Sequence, residues 1–179
     1  MLEVTIPQTS FYDEANNLFI DINEQTLTLE HSLVSIEKWE AKWHVPFLSR
    51  EPKTYEQTVD YIRCMTLTKN VDPLVYRAVT GDVIEKVNAY IDEPMTATTF
   101  SKDNSPPSRE IVTAELVYYW MTALNIPYEC RKWHFNRLMT LVRVCNLKNS
   151  PGKKMSKRAT ASRNRELNRA RRNKYKTKG

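Results

Sequence analysis

Residues 29–46 read LEHSLVSIEKWEAKWHVP. Leu29, Leu33, Ile36, Trp39 and Trp43 recur at steps of three and four, which places them on one face of an α-helix. Pro46 ends that run, because its ring blocks the next helical turn. The same period continues downstream. Thr54 with Gln57 three residues on has the capping-box arrangement, and Tyr55, Val59, Ile62 and Met65 form the stripe of a second helix. Asp72-Pro73 predicts a cap followed by proline at the first helical position, in a short helix that closes at Gly81. Another helix is expected over residues 82–92, with Ile84, Val87 and Ile91 on one side. After the Ser/Thr/Pro-rich loop 94–107, Ser108 predicts the cap of a longer helix bearing Ile111, Ala114, Val117, Tyr118, Met121 and Leu124. Asn125-Ile126-Pro127 marks a break, and a last helix is expected over residues 128–146 with Trp133, Leu138, Leu141, Val142 and Cys145 apolar.

Upstream the period changes to two. Leu2, Val4 and Ile6 alternate with polar neighbours, as do Leu18, Ile20 and Ile22. Two short strands joined by the polar loop 7–17 are expected to pair as a ribbon and to need a cover, since two strands alone are marginal in water. The expected body over residues 1–148 is therefore mainly α with minor β: five or six helices and a small N-terminal ribbon.

Charge divides the chain. Residues 149–179 hold twelve cations, Lys153, Lys154, Lys157, Arg158, Arg163, Arg165, Arg169, Arg171, Arg172, Lys174, Lys176 and Lys178, against the single acid Glu166. The preceding 148 residues hold 15 basic and 20 acidic side chains. The cationic segment lacks the apolar residues to offset its own ordering entropy. Residues 156–175 nevertheless contain no Pro or Gly and suit a helix once a partner neutralises the charge. Ser150-Pro151-Gly152 is the break between body and arm. Self-repulsion on this scale points to a polyanionic partner, either nucleic acid or an acidic protein surface. The ten cations from Lys153 to Lys174 are the candidate partner-binding residues.

Several function classes find no support. Phosphate-cradling loops need clustered glycines, and Gly81, Gly152 and Gly179 stand far apart. No apolar run reaches membrane-spanning length, and the first residues lack the order of a signal peptide. Three cysteines with no framework spacing suit reduced thiols in a cytoplasm. Cys130 and His134 are four apart and would share a helical face, a metal-ligand spacing, but Cys64 and Cys145 supply no further pair for a structural zinc site. A buried Cys130 beside a half-exposed His134 is the expectation, with no cofactor and no catalytic residue. The acidic pairs Asp13/Glu14 and Asp92/Glu93 are expected as solvated carboxylates. The four tryptophans are expected in the core rather than on a base-stacking platform.

The stretches His31 to Glu40, Lys42-Trp43-His44, Pro46-Phe47-Leu48, Pro94 to Thr98, Glu129 to His134 and Arg143 to Asn146 carry a resemblance, as does the ending Lys153 to Arg158 with Asn164 to Asn168. Over nearly its whole length the chain resembles proteins encoded in the tail-gene regions of long-tailed bacteriophages, of the kind described as tail assembly chaperones. The resemblance implies a non-catalytic virion-assembly role in the host cytoplasm, by contacts with the tape-measure protein, tail-tube subunits and neighbouring copies. It brings no catalytic residues. The competing expectation is a nucleic-acid-binding or packaged virion structural protein that uses the basic arm. A weaker one is an enzyme built on Cys130 or His134.

Overall fold

The computed structural model describes residues 1–13, 17–49, 51–100, 110–149 and 157–175. The fold is mainly helical with a small β part. It comprises four strands, β1 (Leu2–Ile6), β2 (Thr9–Asp13), β3 (Leu18–Ile22) and β4 (Gln25–Leu29), and six α-helices. The helices are α1 (Leu33–Trp43), α2 (Tyr55–Met65), α3 (Gly81–Asp92), α4 (Ala114–Ala123), α5 (Phe135–Asn149) and α6 (Lys157–Tyr175). Short 3-10 helices cover Pro73–Ala78 and Tyr128–Lys132. Among the described residues the body thus carries seven helical segments, not five or six. The chain divides into two compact units, Met1–Cys145 and Asn146–Gly179.

The N-terminal pairing differs from the expected ribbon. β1 pairs antiparallel with β4, Leu2 opposite Leu29 and Ile6 opposite Gln25, while β2 pairs with β3 in a second two-stranded sheet. The segment expected as a polar loop contains β2. Leu29, expected at the start of the first helix, ends β4 instead. Its spacing of four from Leu33 is a multiple of two as well as a helical step, so it fits a strand equally well. Val4, Ile6, Leu27 and Leu29 are buried, and the cover that the ribbon needs comes from the helices.

Local chemistry sets the helix ends. Ser32 and Ser35 form a capping box at the start of α1, whose last turn ends on His44 in the left-handed region, φ 53°. Thr54 and Gln57 form the expected box on α2. There Tyr61, Ile62 and Met65 are buried and Val59 is half-buried, whereas Tyr55 is 61% exposed and leaves the expected stripe. Asp72 caps the Pro73–Ala78 segment as a 3-10 helix through a 2.9 Å bond from Leu74 N–H to Oδ1. On α3 Val83, Val87 and Tyr90 are buried, with Ile84 and Ile91 half-buried beside them.

Two boundaries moved. α4 begins at Ala114 after Thr113, so Ile111 precedes it and is 67% exposed. The β-branched run Ile111-Val112-Thr113 disfavours an earlier start, and the Glu40 carboxylate fixes this one by accepting from Ala114 N–H at 2.8 Å. Ser108 lies outside the described residues. The helix expected over 128–146 is two elements, because His134 bridges to Ser32 and Phe135 N–H donates to the His31 carbonyl at 2.7 Å. That strand-like contact between distant segments holds the chain extended just before α5. Trp39 is buried in the core and donates its indole N–H to the Gln57 carbonyl at 2.9 Å. Trp43, Trp120 and Trp133 are half-buried against it.

Candidate functional site

α6 is a helix of 19 residues with eight cations and one acid. It contains no Pro, no Gly and few β-branched residues, and its Ala, Arg, Leu, Lys and Glu positions lose little side-chain freedom in a helix. Among its described side chains every one is exposed, Arg158, Arg163, Arg165, Arg169, Arg171, Arg172 and Lys174 included. Leu167 is 46% and Tyr175 66% exposed, so its apolar residues are not buried. Lys157 opens the helix. Lys153 and Lys154, the other two candidate residues, lie outside the described residues.

The helix distributes its charge unevenly around its axis. At about 100° per residue, Arg158, Arg165, Arg169 and Arg172 fall within one sector of about 60°. Arg163, Lys174 and Arg171 lie across the axis from them. Between these two cationic sides sit Asn164, Asn168 and Ala161, with Lys157 and Tyr175 at the two ends of the same strip. The sector facing away from the asparagines holds Ser162, Glu166, Ala159, Ala170 and Asn173, so the one carboxylate lies opposite them. Six of the eight cations are arginine, whose planar fork binds phosphate or carboxylate in bidentate fashion. The chemistry available here is recognition of anions.

The body places its reactive groups differently from expectation. Cys130 lies in the Tyr128–Lys132 3-10 helix and His134 beyond its end, so they do not share a helical face. Cys130 is buried, and burial pushes its thiol up. His134 is buried rather than half-exposed, and its Nε2 lies 3.0 Å from the Tyr90 carbonyl oxygen. His31 stacks edge-on against it with ring centroids 5.1 Å apart. Its Nδ1 lies 2.6 Å from the Tyr61 hydroxyl, and burial together with His134 pushes its imidazole down to about 3. Burial pushes the Cys64 thiol up to about 11, with Asp60 adding to the effect. These directions keep the thiols protonated and His31 neutral near pH 7, which suits packing rather than nucleophilic attack. Among the described residues no three or more His, Cys, Asp or Glu gather as a metal site requires. Asp92 and Glu93 are exposed at the end of α3, and Glu14 lies outside the described residues.

The sequence reading missed the buried carboxylates that hold the body together, Glu40, Glu30 and Asp60, the last of which accepts from the Trp43 indole N–H at 2.9 Å. Glu40 accepts from Phe47 N–H at 2.7 Å and from Ala114 N–H at 2.8 Å, joining α1 to the loop after it and to the start of α4. Glu30 accepts from the Tyr90 hydroxyl at 2.8 Å and pairs with the Met1 amino group at 3.1 Å. A faint signal existed for Glu40, since it adjoins Trp39 and lies four residues from Ile36 on the apolar face. The exposed aromatic side of the β2–β3 hairpin was also missed. Tyr12 and Phe19 stack across the strands at 5.1 Å and are 51% and 71% exposed.

Comparison with protein-family models, with curated proteins and with solved structures found no match to this chain.

Proposed function

We propose that this chain is a non-catalytic assembly factor that works by gripping other macromolecules, in the manner of a phage tail assembly chaperone. The observation that carries the proposal is α6: 19 helical residues bearing eight cations, with its described side chains all exposed. Such a helix buries no core of its own, and its self-repulsion is relieved only against an anionic surface. The body supports the same reading, because its buried Glu40, Glu30 and His31 are spent on hydrogen bonds within the fold. Its contacts with the tape-measure protein and tube subunits would fall on exposed apolar surface, and the Tyr12/Phe19 side of the hairpin is such a surface.

The test is co-expression of the full chain with the tape-measure and tail-tube proteins of one phage. The expected result is a soluble complex that co-purifies with the chain, weakened at least about tenfold by Phe19→Asp, as expected for an aromatic anchor in an interface. A tape-measure protein that neither binds nor gains solubility contradicts the proposal.

A further inference from the structure

We infer that α6 is a groove-binding helix for duplex DNA, with Arg158, Arg165, Arg169 and Arg172 as its contacts to one phosphate backbone. The inference rests on the reading of α6 as a contact element and names what it grips. Three observations separate duplex DNA from an acidic protein.

The first is the placement of cations on both sides of the helix. A flat acidic protein surface touches one sector of a docked helix, and a protein groove takes the helix by an apolar face. Here the four-arginine side is matched across the axis by Arg171 and Lys174, with Arg163 on the same side. A groove has two phosphate walls, and a helix lying in it meets both. The major groove of B-form DNA is about 12 Å wide and admits a helix of about 10–12 Å diameter.

The second is what lies between the two sides. Asn164, Asn168 and Ala161 occupy the middle of the sector that would face the groove floor, with Lys157 and Tyr175 at its two ends along the axis. The middle three are short or amide-bearing, and asparagine can pair with base edges. Glu166, the one carboxylate, falls in the opposite sector, away from the bases and phosphates.

The third is the lack of an apolar anchor. Protein interfaces draw most of their affinity from buried aromatic or aliphatic residues surrounded by a polar rim. Leu167 lies on the Arg163/Lys174 side and Tyr175 at the helix end, and the four-arginine sector holds no apolar residue at all. That sector runs about 21 Å along the axis from Arg158 to Arg172, which spans about six base pairs of one strand. The deep, narrow major groove of A-form RNA would not admit the helix.

The experiment uses the full chain and three fluorescent probes: a DNA duplex of about 20 base pairs, one of its single strands, and polyglutamate of about 20 residues. Anisotropy titrations run from about 0.05 to 0.2 M salt. The expected result is a preference for the duplex over the other two probes of at least about tenfold. The log–log salt slope should lie between about −4 and −6, a loss of roughly a thousandfold in affinity across that range. The full-length variant Arg165→Gln/Arg169→Gln keeps helix propensity, checked by circular dichroism. It should bind the duplex about fiftyfold more weakly at 0.1 M salt, with a slope shallower by about two. Polyglutamate binding as tight as the duplex overturns the inference in favour of an acidic protein. Equal single-strand binding, or a slope unchanged in the variant, also overturns it. Co-purification with the tape-measure protein is a separate readout. If that persists while duplex binding is absent, the DNA inference falls and the assembly proposal stands. If duplex binding holds while co-purification fails, the reverse follows.

Discussion

Lowering the pH from 7 to 5 should destabilise the body through one histidine, and His31→Gln isolates the effect. His31 is 2% exposed, with Tyr61, Phe47, His134 and Phe135 around its ring. Burial, and then His134, push its imidazole from an ordinary 6.5 down to about 3 in the folded protein. The unfolded chain therefore takes up this proton first. The stability tied to neutral His31 is fully present above about pH 6.5 and is lost progressively as the pH falls toward 3. At pH 5 the unfolded state gains about 2 kcal/mol from protonating this residue, a figure insensitive to the folded value so long as that stays well below 5. Urea unfolding of the parent chain and of His31→Gln at pH 7 and pH 5 measures it. The variant loses a close partner of the Tyr61 hydroxyl and should be weaker at pH 7. Its further loss between pH 7 and pH 5 should be smaller than the parent's by about 2 kcal/mol. Groups remote from His31 contribute alike to both proteins and cancel in the difference. Equal losses in the two proteins would refute the reasoning and mean that His31 takes up its proton without unfolding.

Glu40→Ala should cost about 3 kcal/mol by urea denaturation, because it strands the buried N–H groups of Phe47 and Ala114. A loss under about 1 kcal/mol would show that water or a neighbour replaces the carboxylate. Leu138→Ala should cost roughly 3–4 kcal/mol, since Leu138 is fully buried in a close-packed core. A near-neutral result by the same assay would place α5 outside the core. Alkylation of Cys64 by iodoacetamide, followed by peptide mass spectrometry, should be slow at pH 8 and speed up about tenfold per pH unit toward 11. Fast, pH-independent labelling would contradict a thiol raised by burial.

What the chain discloses about itself depends on how local the deciding interaction is. The capping box of Thr54 and Gln57 lies within four residues and was legible. So was the helical face Leu33, Ile36 and Trp39. Pairing of β1 with β4 was not, because it is decided by which strand offers buried partners, and Leu29 reads as the first residue of a helical face. The break before α5 was hidden for a similar reason. It follows from a backbone bond between Phe135 and His31, residues far apart in sequence, and nothing in 128–146 itself forbids a continuous helix. Glu40 shows the limit most clearly, since the groups that hold it, Phe47 N–H and Ala114 N–H, come from backbone whose position only the fold supplies. The arm was the opposite case. Its charge could be counted directly, and its arrangement around the axis needed only the knowledge that residues 157–175 form one helix.

Amide hydrogen exchange along the full chain puts the reading of α6 as an exposed contact helix to the most direct test. Residues 157–175 should exchange within seconds in the free protein, because a helix with no buried apolar face and eight cations against one acid gains little stability from packing. Amides of α1 and the first half of α5 should stay protected for far longer, and adding the DNA duplex should slow exchange in 157–175 alone. Protection of α6 in the free protein equal to that of α1 would mean that its cations are already satisfied within the chain, and would contradict the account.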